Sequence, residues 1–307
     1  MLRYIARRLL VSVVVLWGVS TLVFAMMHML PGDPVELMLA RSGGSAATIA
    51  SIRQQLGLDQ PLAVQYARFF GNALQGDLGR SIATGMKVTD MIASQFPSTL
   101  ELAVAGMAVA LLLGVSLGMI AALKHNTWID NACVAISVVG VSMPVFWLGL
   151  VLIQVFAAGL HWLPATGEGD LKHLMLPALV LGFCSAGSIA RLLRATMLDV
   201  LGLDYVRTGR AKGLAEKTVV LRHVVRNALI PVVTMVGLQA GFLLGGTVVV
   251  ETIFGRRGLG QMTINAILWK DFPVVQGAVL VIAVTYVLVN LMVDLSYGLL
   301  DPRIRYE

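Results

Sequence analysis

The sequence predicts an all-α integral membrane protein with six spanning helices, on two observations. The first is composition: 57% of the 307 residues are hydrophobic and 13% are charged, and the mean hydropathy is +0.83. Soluble domains carry about 25% charged residues, so this chain has too little polar surface to cover a water-soluble fold. The second is that its apolar residues come in long runs, and about 20 of them in a helix cross ~30 Å of hydrocarbon. The runs lie at about 9–30, 100–123, 132–160, 174–198, 228–253 and 274–300. They are continuous and do not alternate with period two, which favours helices over a barrel.

The first run follows Arg3, Arg7 and Arg8 and resembles a signal peptide. It exceeds the usual apolar core of roughly 7–15 residues, and no small-x-small cleavage site follows, so it reads as an uncleaved first span. A long polar segment, 31–97, comes next. Helical spacing is expected over 45–56, with Gly57 as its C-cap. Pro61 opens a second helix through Leu74 that ends near Gly76, and 88–96 forms a third, stopped by Pro97. Tyr66, Phe69 and Phe70 point to a small packed helical cap, either a spacer or a platform for an exterior partner.

In the second span, Gly114-Val-Ser-Leu-Gly118 matches the serine-hydrolase elbow, which would make Ser116 the nucleophile of an intramembrane hydrolase. That motif needs a strand-to-helix turn, and here it sits mid-helix, so the glycines read better as a close-packing face. Pro144 should kink the third span, because its missing N–H breaks the helical ladder. Cys133 and Cys184 lie in or beside spans and read as packing residues. In the fifth span Gly237, Gly241 and Gly245 recur every fourth residue, followed by Gly246. They mark either static packing or a wall of a pathway, and Gln239 beside them would face a polar lumen. The loop 251–269 holds two glycine turns and then an amphipathic stretch with Met262, which either dips into an outer mouth or lies on the surface. Pro144, Gln239, Gly241, Gly245 and Met262 are the candidate pathway or gate residues. Glu101 and Asp294 lie near span ends, where pairing is cheap, and this speaks against a proton relay.

Basic residues set the orientation. One side collects the N-terminus, Lys124, 191–226, Arg303 and Arg305, with fourteen basic and six acidic residues, while the other side is balanced at nine of each. The basic side is therefore cytoplasmic, with both termini on it. It also holds a polar stretch between two spans. There Asp204 suits the first turn of a short helix, Arg207, Arg210 and Ala211 fall on neighbouring faces, and Gly213 fits its C-cap. Glu216 to Arg226 follows as a second basic amphipathic run leading to Pro231. Composition leaves lipid contact and protein docking equally open for this stretch. The chain contains no G-x-x-x-x-G-K-[ST] phosphate loop, no H-E-x-x-H and no paired-cysteine metal pattern.

Asp204-Tyr-Val-Arg-Thr-Gly-Arg-Ala-Lys-Gly213 and Arg226-Asn-Ala-Leu-Ile-Pro231 closely resemble the coupling segment of ABC importer permeases of the dipeptide/oligopeptide class, which includes glutathione and nickel importers. Leu30-Pro-Gly-Asp-Pro34, Gln55-Leu-Gly-Leu-Asp-Gln-Pro61, Gly76-Asp-Leu-Gly79, Gly245-Gly-Thr-Val-Val-Val-Glu251 and Asp301-Pro-Arg-Ile-Arg305 look like the same family, so the resemblance covers essentially the whole chain. The long loop after the first span is similar to the first of the two permease subunits. The resemblance implies a type I ABC importer permease fold. It divides the chain into a tail and first span (1–30), an exterior helical loop (31–97), a transmembrane domain (98–300) with a coupling helix at about 203–217, and a cytoplasmic tail (301–307).

The implied partners are a second homologous permease, two ABC ATPases, an extracytoplasmic substrate-binding protein and membrane lipid, with no nucleic acid. ATP and Mg would be bound by the ATPases and no cofactor by this chain, which is then not an enzyme by itself. The implied location is a prokaryotic inner membrane. Coupling contacts would fall to Asp204, Tyr205, Arg207, Arg210, Ala211, Lys212, Gly213, Leu214 and Glu216. Two departures stand out: the broader permease consensus has Glu-Ala-Ala where this chain has Arg207-Thr208-Gly209, of which the first two are usual for the peptide class and Gly209 replaces a common alanine, and Arg256-Arg257 occupies a turn where relatives more often carry an aromatic or proline. The competing class is a secondary transporter or channel working without ATPases. It predicts mid-membrane ionisable residues and inverted symmetry, and neither is legible here.

Overall fold

A computed structural model describes residues 2–29, 54 and 59–300. The expected helix at 45–56, its Gly57 cap and the tail 301–307 lie outside them. The described residues are mostly helical, with one isolated bridge between Arg80 and Lys87 in the turn before the second long helix. Five helical stretches are long and apolar enough to cross a membrane: Arg8–Met26, Val88–Leu123, Leu171–Leu201, Glu216–Ile253 and Phe272–Val293. A sharply bent pair, Trp128–Ser142 and Val145–Gly159, supplies a sixth when counted as one span.

The chain divides into two compact units. The first comprises Met1–Ser98 and Arg257–Leu288. It contains α1 (Leu2–Met29) and α2 (Leu62–Leu74), joined where Thr21 Oγ1 meets Tyr66 Oη at 2.7 Å and Phe24 packs edge-on to Tyr66. As the sequence predicts, Pro61 precedes α2 and Gly76, at φ +79°, follows its end. Its core is built by Val88 and Ile92 from the start of α3 (Val88–Leu123), Leu259, Met262 and Ala266 from α9 (Leu259–Leu268), and Val274, Val275 and Ala278 from α10 (Phe272–Leu300). Asp271, 3% exposed, pins the 81–83 turn to this core: its carboxylate accepts from Ser81 Oγ at 2.5 Å and from the N–H groups of Ile82 and Ala83.

One expectation is corrected here. Pro97 does not stop a helix, because α3 runs through it from Val88 to Leu123. Proline's fixed φ is helical, so the ring forfeits one ladder bond, and membrane helices tolerate this. Met262 sits in a packed core and also borders a cavity beside Gln261 and Asn265.

The second unit comprises Thr99–Arg256 and Val289–Glu307. At its centre is α6 (Leu171–Leu201), capped by Asp170, whose carboxylate accepts from Lys172 N–H. The hydrogen bond from His173 at 2.9 Å holds the Asp170 carboxyl below its ordinary range. Glycines let α3 approach α6 closely: a methyl added to Gly114 would lie 2.8 Å from Ile189 Cβ, and one on Gly118 would lie 2.6 Å from the Ala190 carbonyl oxygen. The elbow-like Gly114–Gly118 pair is thus a packing face, and Gly237 likewise packs against Val293. Cys133 and Cys184 are free and buried.

Pro144 does more than kink the third span. It sits between α4 (Trp128–Ser142) and α5 (Val145–Leu152), which diverge by 107°. Met143 and Pro144 both adopt extended backbone, so the helix is broken, and α5 continues as a π-helical segment Ile153–Gly159. Gln239 is half-buried, and its amide donates to the Ser185 carbonyl of α6 at 3.2 Å. Gly241 is half-buried, whereas a methyl added to Gly245 would meet nothing within 4 Å. Glu251, counted from sequence as an exterior loop charge, lies fully buried in the last turns of α8 (Arg226–Ile253) and accepts from Thr99 Oγ1 at 2.7 Å. Arg256 is buried too and pairs with Glu101, whose expected pairing is thereby found.

Candidate functional site

The polar stretch between α6 and α8 folds as the short helix α7 (Asp204–Ala211), then a helical turn Glu216–Thr218, a π-helical segment Val219–Val225 and α8. Leu203 supplies the extended residue before α7, and Asp204 opens it, where a carboxylate favours the helix dipole. Thr208 Oγ1 donates back to the Asp204 carbonyl at 2.9 Å.

The end of α7 is a Schellman motif. Gly213 takes φ +78°, which an L side chain adopts only with strain. Its N–H donates to the Arg210 carbonyl at 2.9 Å, and the Leu214 N–H reaches the Gly209 carbonyl at 3.3 Å. Leu214 then folds its side chain back over Gly209, completing the apolar contact of the motif.

Two contacts fasten α7 to the rest of the unit, and a third closes the turn that follows it. Val206, fully buried, packs in a core with Val219, Val220, Val224 and Ala228. Asn227 Nδ2 donates to Tyr205 Oη at 2.8 Å, tying α7 to the start of α8. Arg210 grips Glu216 with two parallel hydrogen bonds, Nε at 3.0 Å and Nη2 at 2.6 Å, closing the turn at Gly213. Those bonds also raise the Arg210 pKa above its ordinary value. Arg207 and Asp204 lie 3.7 Å apart but are 72% and 97% exposed, so their pairing contributes little.

The outer surface of the segment is cationic and apolar together. Arg207, Arg210, Lys212, Lys217, Arg222 and Arg226 are exposed. Between them Leu203, Tyr205, Leu214 and Leu221 are each more than 40% exposed. Every coupling residue expected from sequence belongs to this one surface or its capping turn. Pro144, Gln239, Gly241 and Gly245 belong to the same unit without converging on it, and Met262 belongs to the other unit.

The run Glu216–Arg226 does lead to Pro231. It runs into α8 as one helical stretch with Pro231 inside, and its middle is π-helical.

Gly209 departs from the common alanine yet has room for one. An added methyl would meet Leu214 Cδ1 at 3.7 Å and Val219 Cγ2 at 3.9 Å, both ordinary contacts. Gly209→Ala is therefore expected to stabilise α7 by about 1 kcal/mol. Amide exchange within α7 should slow by roughly fivefold, and unchanged or faster exchange would contradict this reading.

Comparison with known proteins bears on what the segment belongs to. Residues 114–306 match the family described as binding-protein-dependent transport system inner membrane component. Residues 1–103 match the N-terminal region of binding-protein-dependent transport system membrane components. The glutathione transport system permease protein GsiC of Escherichia coli strain CFT073 is 48% identical over 307 residues, covering all of both chains. The protein of the same description from strain K12 is 47% identical over the same length. Among solved structures, one of the MetNI methionine ABC transporter in inward-facing conformations superposes with a TM-score of 0.59 at 18% identity. It covers 69% of this chain and 96% of that one, and it shares the fold.

Proposed function

The chain belongs to the binding-protein-dependent transport system inner membrane components, and from that membership we propose how this permease of an ABC importer works and what it carries. Its cargo is small peptides, glutathione included, the substrate named for its 47–48% identical relatives. The chain pairs with a second homologous permease. Two ABC ATPases bind ATP and Mg on the cytoplasmic side, and an extracytoplasmic binding protein delivers the solute. The permease contributes no hydrolytic chemistry. Both termini and the segment around α7 lie in the cytoplasm, as the basic residues indicate.

One observation carries this reading: a short helix closed by a Schellman turn is fastened by Val206 to the core between two spans, and it presents cations and exposed leucines together. In this reading α7 seats in a groove of one ATPase. Arg207, Arg210 and Lys212 make polar contacts there, with Tyr205 and Leu214 as apolar ones, while Asp204, Ala211, Gly213 and Glu216 shape the helix and its turn. Closure of the ATPases moves α7, and α6, which leads into it, and the helical stretch that follows its capping turn into α8 carry the movement into the spans. Gln239, Gly241, Gly245, Pro144 and Met262 are candidates for the pathway or gate. A secondary transporter or channel working without ATPases is not favoured by the family membership.

The test is reconstitution of the complete importer in vesicles with ATP-dependent uptake of glutathione and of a dipeptide as readout. Arg207→Glu should cut uptake by about tenfold or more, the effect of losing and reversing one charge-assisted contact. The amount of folded subunit in the membrane should not change, because Arg207 is exposed. Wild-type uptake and wild-type ATPase co-purification in this variant would remove α7 from the coupling role.

A further inference from the structure

In the first unit a cavity of about 320 Å³ opens between the last turns of α1, α2, the 77–82 turn and the start of α10. Three aromatic residues, Phe24, Phe69 and Phe272, line it. Arg68 and Arg80 bring two guanidinium groups to the same space, and Asp77 brings a carboxylate. Arg80 spends one donor on the Gly85 carbonyl at 3.2 Å, leaving its others available. Arg68 has no ion-pair or hydrogen-bond partner among the described residues. Asp77 accepts from Gly79 N–H through one oxygen, leaving the second open.

Two further groups mark the cavity as a polar site. Gln276 lines it, is only 7% exposed, and has no hydrogen-bond partner among the described residues. Its amide is open to the cavity, where an occupant can pair with it. His28 also lines it, with Nδ1 2.8 Å from the Phe24 carbonyl and Nε2 3.1 Å from Gln65 Oε1. The Gln65 amide nitrogen donates to the Gln60 carbonyl, which fixes the oxygen toward His28. His28 thus adds a fixed polar imidazole to the wall.

The depth of the cavity identifies the occupant. The apolar window of α1 ends at Met26, and His28 lies two residues beyond it, about 3 Å at helical rise. The site is thus level with lipid headgroups. α2 bears exposed Leu62 and Leu74, and α1 exposes Leu22, Met26 and Met29 alongside. Apolar surface for acyl chains therefore adjoins a cationic pocket of headgroup size.

We propose that this cavity binds a phospholipid headgroup, its phosphate on Arg68 and Arg80 and a headgroup amine on Asp77. The aromatic residues receive the glycerol region, and the Gln276 amide donates to a phosphate or ester oxygen. Guanidinium groups suit phosphate because they present paired donors to it. One carboxylate beside two cations matches a zwitterion better than a bare anion.

The experiment is native mass spectrometry of the assembled importer, titrated with phosphatidylethanolamine, phosphatidylglycerol or inorganic phosphate. Wild type should retain phosphatidylethanolamine in preference to phosphatidylglycerol. Arg68→Ala/Arg80→Ala should weaken retention of both lipids by roughly tenfold or more, the scale of losing charge-assisted hydrogen bonds. Asp77→Asn should reduce the preference for the amine headgroup while leaving phosphatidylglycerol binding unchanged. All three side chains lie on exposed residues, so the variants should fold, and single Arg68→Glu serves if the double variant does not. Equal lipid retention by wild type and the arginine variants would overturn the proposal. So would displacement of the lipid by inorganic phosphate, which would mark a site for a soluble anion.

Discussion

Val206→Asp should abolish ATP-coupled uptake, with activity falling below a tenth of wild type. Val206 is the one fully buried residue of α7. An eight-residue helix is too short to hold its shape alone in water, so its position depends on tertiary contact. An aspartate there would place a carboxylate among Val219, Val224 and Ala228, at a cost of several kcal/mol. The chain escapes this cost by releasing α7, not by unfolding, because the spans gain their stability elsewhere. The variant should therefore insert normally and lose ATPase co-purification together with uptake. Val206→Ala removes two methyl groups and should cost about 1–2 kcal/mol, leaving measurable transport. A Val206→Asp importer with wild-type uptake would show that α7 transmits nothing through its buried face.

The contrast with Arg207→Glu separates two links. Arg207 stands on the docking surface and Val206 on the anchoring surface of the same turn, so one variant tests recognition and the other tests transmission. Loss of uptake in both, with co-purification of the ATPases reduced in both, is the outcome the coupling role requires.

The sequence reading succeeded where the signal is local. Long apolar runs locate the spans, because hydrocarbon thickness imposes them. Asp204 and Gly213 bracket α7 because one suits a helix start and the other permits φ +78° at its end. Pro144 was legible as an interruption, but a 107° break needed the extended conformation of Met143 as well, which local sequence does not dictate. Pro97 carried the same local signal as a stop and was overridden by the long apolar helix beyond it. The buried charges were illegible for a different reason. Asp271 meets Ser81 across 190 residues of chain, and Glu251 meets Thr99 across 152. Counting charges by side treats each as a solvated loop residue, since a single sequence holds no record of which distant groups face one another.

The same blindness hid the contact with the second large expected effect. Asp130, 2% exposed at the start of α4, receives two hydrogen bonds of 2.7 Å from Arg194 of α6, one from Nε and one from Nη2. The Asn126 N–H at 3.1 Å and His125 Nδ1 at 3.2 Å complete its shell. Arg194→Met keeps most of the packing but strands a buried carboxylate, and breaking such pairs costs about 3–5 kcal/mol. The retained Asn126 and His125 contacts should hold the loss near the lower end. Arg194→Lys should recover only part of it, because an ammonium cannot reproduce the paired geometry. Asp130→Leu combined with Arg194→Met should recover more, since removing both charges removes the uncompensated one. Thermal unfolding of the four proteins in one detergent decides the matter, and a double variant no more stable than Arg194→Met would refute the pair. Uptake adds a second readout. Arg194 lies about two turns before the end of α6, which leads directly into α7, so this pair fixes the helix end from which α7 departs. If transport falls in Arg194→Met and returns in the double variant, position of that end, and not the charge, is what coupling needs.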